Sequence, residues 1–137
     1  MKLLHHKKPT EIIISCENGR ITLSGASLDL ILPYFGQFAT IPEMLDKGPS
    51  ELSTERANWL RPILESVVDE FMHNFHVEEQ ITSKNRNRFI KTKYRSKIIF
   101  LNYRMSAADC AIWIAISMIE LIDKCLASGA RVFIDVR

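Results

Sequence analysis

Between Ser106 and Gly129 the chain carries an apolar helical pattern, and from Cys110 to Ile119 it holds no charged side chain at all. A helix that is apolar nearly all round must be packed on more than one side, so this segment predicts the centre of a core rather than a surface element. Glu120 interrupts it well short of the roughly 18 residues needed to span a bilayer, so no membrane segment is expected. Ser106 is placed to cap the helix, with Asp109 three residues on as an approximate capping box, and Gly129 is placed to stop it.

The elements around that helix follow from local pattern. Lys97 to Tyr103 before it and Ala130 to Val136 after it are β-branched or apolar runs. The last forty residues therefore predict strand, helix, strand, the order of a right-handed parallel crossover. An additional strand is expected over Arg88 to Tyr94. Near the N-terminus, Glu11 to Cys16 and Arg20 to Ser24 flank Asn18-Gly19, a pair suited to a type I′ turn, and predict a β-hairpin. Ile12, Ile14 and Cys16 share one face of its first strand. Ser27 is a candidate cap for a short helix to Phe35, made short or kinked by Pro33, and Thr40 to Lys47 outlines one or two further turns. Paired apolar residues from Trp59 to Phe75 mark a first long helix from about Ser53 to Val77, with Pro62 either kinking or dividing it.

The expected fold is α+β: one domain over 1–137, with an N-terminal hairpin, two long helices and a mixed sheet ending in a β-α-β unit. Apolar content of 47% and charged content of 25% match such a domain and exclude intrinsic disorder. Residues 1–9 read as a solvated tail, and the order of the basic segment 82–96 in the free protein is left open. Cys16, Cys110 and Cys125 are odd in number, lack metal-like spacing and lie in apolar segments, where a thiol acts as a small hydrophobe. With no apolar signal core near the N-terminus, a reducing cytoplasm is the expected location.

Charge is segregated along the chain. Residues 81–108 hold Lys84, Arg86, Arg88, Lys91, Lys93, Arg95, Lys97 and Arg104 with no carboxylate, whereas residues 43–79 hold nine carboxylates against Lys47, Arg56 and Arg61, in a chain of net charge +2. Such a dipolar surface steers partners of complementary charge. Arg86, Arg88, Phe89, Lys91, Lys93, Tyr94, Arg95 and Lys97 form the candidate partner-binding set. The leading expectation is a non-enzymatic protein that inhibits or neutralises another protein, as immunity proteins and phage-encoded inhibitors do. It would act either through these bases on an acidic partner or through the carboxylates of residues 65–79 on a basic one. Bases interleaved with Phe89 and Tyr94 also suit single-stranded nucleic acid, the alternative reading.

Other chemistry is weakly encoded. Asp69, His73 and His76 share a helix face and are candidates for a metal-dependent hydrolase, against the plainer reading of a polar helix face. His5 and His6 read as solvated tail. Cys110, near a helix N-terminus, is the best candidate nucleophile, but Asp109 opposes its thiolate and packing is the preferred role. No glycine cluster forms a phosphate cradle, and no cofactor is expected. Trp59 is assigned to the core in preference to an interface.

Overall fold

The computed structural model describes residues 8–17, 19–37 and 46–137. In chain order these form β1 (Glu11–Cys16), β2 (Gly19–Ser24), α1 (Gly25–Ile31), a 3-10 turn (Leu32–Gln37), β3 (Ser50–Leu52), α2 (Thr54–Asn74), a second 3-10 turn (Arg86–Arg88), β4 (Ile90–Tyr94), β5 (Lys97–Leu101), α3 (Ala107–Ala127) and β6 (Val132–Val136). The α+β class, the N-terminal hairpin and both long helices are as expected. The helix expected over Thr40 to Lys47 lies almost wholly outside the described residues.

α3 is the centre of the core. Ile112, Ala115, Ile116, Met118 and Ile122 are fully buried, and the helix touches α1, α2, β1, β2, β5 and β6. The Ser106 hydroxyl accepts from Asp109 N at 3.1 Å at its start. At its end Gly129 takes φ +73°, with Ala130 N donating to Cys125 O and Gly129 N to Leu126 O, the paired bonds of a Schellman stop.

The strands form two separate sheets, ordered β2-β1-β6-β3 and β4-β5, and every pairing is antiparallel. Strand, helix, strand does run from β5 through α3 to β6, but the parallel crossover predicted from that order is absent. The reason is edge availability: β6 is bonded on both sides, to β1 and β3, while β5 pairs locally with β4 across a two-residue turn. In the first hairpin Cys16 pairs with Gly19, so the connection is residues 17–18, and Gly19 stands in β2 rather than at the turn centre.

Several helix boundaries differ from expectation for local reasons. α1 is preceded by Ser24, and Ser27 is buried within it rather than capping it. Pro62 neither divides nor ends α2, which runs continuously from its Ser53 cap to Asn74. The helix then stops early because Phe75 N and His76 N both bond to Phe71 O, turning the chain. Phe75 (55% exposed) and Val77 therefore leave the apolar stripe, and Trp59, assigned to the core, is 61% exposed on the outer face of α2.

Cys16 and Cys125 are joined in a disulfide, with Cα atoms 6.7 Å apart. The expectation of independent, hydrophobe-like thiols is corrected for this pair. Cys16 follows Ile12 and Ile14 on the face of β1 turned toward α3, where Cys125 is fully buried in the last turns. Cys110 is the remaining thiol and is free.

Candidate binding hairpin and the cleft beneath it

The basic segment is held by its own short-range bonds. Asn85 accepts from Thr82 N at 2.7 Å and donates to Gln80 O at 3.1 Å, which sets up the 3-10 turn at Arg86–Arg88. β4 and β5 then pair in register Lys91↔Phe100, Lys93↔Ile98 and Tyr94↔Lys97. Their two-residue turn is Arg95-Ser96, with φ of +50° and +66°, the left-handed conformation that such a tight hairpin requires.

Alternation divides the candidate residues between two faces. Lys91 and Lys93 point outward beside Ile98 (54% exposed) and Phe100 (41% exposed), while Tyr94, Lys97 and Ile99 share the opposite face, toward α2. Arg86 and Arg88 are exposed at the base of the hairpin, and half-buried Phe89 lines a shallow recess with Ile81, Arg86, Lys91 and Phe100. Ile98 and Phe100 belong to the outward surface but were absent from the sequence-based set. Ile98 to Leu101 reads as a continuous apolar run, the pattern of a strand covered on both faces, whereas only Ile99 and Leu101 are covered.

Arg95 is committed elsewhere. Its guanidinium donates to Glu65 at 3.1 Å and to Asp69 at 3.0 Å, and lies 4.9 Å from the Tyr94 ring centre. The hydrogen bond to Glu65 is the first cause holding its pKa above the ordinary arginine value. The Tyr94 phenol is likewise raised, first by burial and then by Asp69, with Arg95 opposing. Arg61 bridges Glu65 (3.3 Å) and Asp123 (2.8 Å), Tyr34 donates to Glu70, and Asn102 donates to Glu79 at 3.2 Å. Much of the acidic stretch 65–79 is thus engaged within the chain, which leaves the outward bases as the better charged surface for a partner.

Between α2 and the inner face of the hairpin lies a cleft of about 520 Å3, lined in part by Met72, His73, His76, Tyr94, Lys97 and Ile99. The bend after α2 places His76 inward, with its side chain only 4% exposed. Its Nδ1 lies 3.0 Å from Asp109 Oδ1, and Asp109 Oδ2 accepts from Asn102 N at 2.8 Å. The carboxylate predicted to complete a capping box is therefore turned to His76 and Asn102, while Ser106 N bonds to Asn102 O instead. With Nδ1 facing a carboxylate, Nε2 is the ring atom left for other chemistry. It is enclosed and has no hydrogen-bond partner, and Glu78 Oε1 stands 3.7 Å away, beyond hydrogen-bonding range.

Asp69, His73 and His76 are not assembled as a donor set. Asp69 serves Arg95, His76 serves Asp109, and among the described residues no three His, Cys, Asp or Glu side chains are placed to hold a metal. His5 and His6 lie outside the described residues. Among the described residues no helix is long and apolar enough to cross a membrane. Comparison of the chain with protein-family models, with curated proteins and with solved structures gives no match.

Proposed function

We propose that this chain is a small non-enzymatic binding protein, of the type that inhibits or neutralises another protein, and that it docks an acidic protein surface on the outward face of β4 and β5. One observation carries the reading: Lys91 and Lys93, which have no carboxylate partner among the described residues, alternate with exposed Ile98 and Phe100 on a single strand-paired surface. Apolar anchors beside charge supply contact area, and the lysines supply steering. A protein partner is favoured over single-stranded nucleic acid because the aromatic supply is short. Tyr94 faces inward and Phe89 is half-buried, leaving Phe100 to offer a ring for stacking on this face. The cytoplasm remains the proposed location. A reducing compartment would then hold Cys16 and Cys125 largely as thiols.

The test pairs two experiments. Labelled single-stranded RNA and duplex DNA are titrated by anisotropy at about 50 and 200 mM salt, the range over which phosphate-driven binding collapses. Tight binding at low salt with a steep loss at high salt would transfer the assignment to nucleic acid. Affinity capture from the source lysate then compares the wild type with Lys91→Glu/Lys93→Glu and with a distant control, Arg20→Glu. The proposal expects an acidic protein held in stoichiometric amount by wild type and control and lost by the double reversal, with the association rate of the purified pair falling about tenfold or more. Equal retention by the double reversal refutes it.

A further inference from the structure

The cleft on the other face of the hairpin contains groups that the docking surface does not use, and their chemistry is specific. His76 Nε2 and the Tyr94 hydroxyl are both enclosed, both without a hydrogen-bond partner, and both on side chains lining this one cleft. Buried polar atoms are paired in the great majority of native sites, so two orphans lining one cavity mark a place for a ligand's polar group. Lys97 reaches the cleft from β5 and makes no ion pair among the described residues, whereas Arg95 is held by Glu65 and Asp69. Met72 and Ile99 supply apolar wall.

The sign of the missing group follows from Lys97, whose ammonium reaches the cleft without an ion pair among the described residues. Beside it stand the unpartnered Tyr94 hydroxyl and His76 Nε2. The Lys97 ammonium only donates and the Tyr94 hydroxyl can donate, which is the complement of an oxyanion. Glu78 supports the same sign. Its side chain is 81% exposed, yet its carboxylate lies 3.7 Å from Nε2 without reaching hydrogen-bond distance. It stands where an incoming anion would approach.

We propose that this cleft binds a small ligand carrying a carboxylate or phosphate next to an apolar moiety, with the oxyanion bound by His76, Tyr94 and Lys97, and with the Glu78 carboxylate as an internal competitor that the ligand displaces. Arrival of the ligand oxyanion exchanges the loose 3.7 Å approach of Glu78 for direct contact with the Lys97 ammonium and the Tyr94 hydroxyl. The site is independent of the partner-docking reading, since it uses the opposite face of the hairpin.

The probes are phenyl phosphate and benzoate, which separate the two oxyanion sources, and benzamide, which keeps the ring and removes the charge. Each is titrated into the full chain at pH 6 by NMR, following the His76 side-chain nitrogens and the backbone amides. Saturable binding by at least one anion is expected, with a shift at His76 Nε2. Glu78→Gln should tighten it about threefold, the scale of one exposed charge contact. Tyr94→Phe removes a hydroxyl with no partner in the fold, so it tests the site without unfolding the protein; it and Lys97→Ala should each weaken binding about fivefold. Benzamide binding as tightly as the anions, dissociation constants above about 10 mM for both anions, or an unchanged affinity in Glu78→Gln would each overturn the proposal.

Discussion

Reducing the Cys16–Cys125 bond should lower the stability of this domain mainly by releasing its unfolded chain. The bridge spans a sequence separation of 109 residues, tying the end of β1 to the last turns of α3. For a closed loop of that length the chain-entropy relation gives about 5 kcal/mol, with measured effects more commonly 2 to 4 kcal/mol. That is a large share of the roughly 5 to 15 kcal/mol typical of a whole domain. The native state has little reason to change on reduction. β1 stays hydrogen-bonded to β2 and β6 on its two sides, and Cys125 is fully enclosed by the core around α3. The assay is urea unfolding followed by circular dichroism, with and without reductant, in a Cys110→Ala background that prevents thiol exchange. With a urea slope of 1 to 3 kcal/mol/M, the midpoint should fall by about 1 to 3 M. The slope itself should rise, because the reduced unfolded chain exposes more surface. Midpoints that coincide within about 0.3 M, while alkylation confirms that the two thiols are free, would refute this account.

Three further outcomes are expected. Ser96→Gly should stabilise the protein by about 1 kcal/mol in urea unfolding, because Ser96 sits at φ +66° in the β4–β5 turn and glycine removes the left-handed penalty. The Tyr34 phenol is pushed up to about 12 from its ordinary 10, first by burial and then by its bond to Glu70. A folded value above the unfolded one means that its contribution is complete below pH 10 and is lost as pH rises through about 12; urea midpoints should fall over that window and fall less steeply in Tyr34→Phe. Asp109→Ala should cost about 3 to 5 kcal/mol in the same assay, since it leaves Asn102 N–H and His76 Nδ1 buried without their acceptor.

Local pattern carried the two long helices and the N-terminal hairpin because each rests on short-range physics. The apolar circumference of 110–119, the Ser106 cap and the Gly129 stop are all legible within a few residues, and each stands as read. Sheet membership is not of that kind. Whether β5 lies beside β6 depends on β1 and β3 having already taken both edges of β6, a long-range competition with no local signature. The same holds for Cys16 and Cys125. Each looks like a small apolar residue in its own segment, and their pairing exists only once β1 lies against the end of α3. Trp59 misleads for a related reason: the helical spacing of Trp59-Leu60 and Ile63-Leu64 marks a stripe, but not which member of each pair falls at its edge.

The His76–Asp109 pair shows how one residue can satisfy a local rule and still act at long range. Ser106 and Asp109 have the spacing of a capping box, and the backbone half of that motif forms, with the hydroxyl accepting from Asp109 N. The side-chain half does not form, because Ser106 N is already bonded to Asn102 O, which frees the Asp109 carboxylate to accept from Asn102 N and to face His76. That fixes the start of α3 to the chain leaving α2 and turns an imidazole that helical periodicity assigned to a polar face into the cleft wall. The hairpin that closes the cleft is tied to α2 through Arg95 and to the core through buried Ile99 and Leu101, so its two faces are positioned together. Lys91, Lys93, Ile98 and Phe100 are directed outward by the same register that brings Tyr94, Lys97 and Ile99 over His76. Arg95→Ala would therefore disturb the cleft and the outward surface together, whereas substitutions at Phe100 or at Tyr94 separate them.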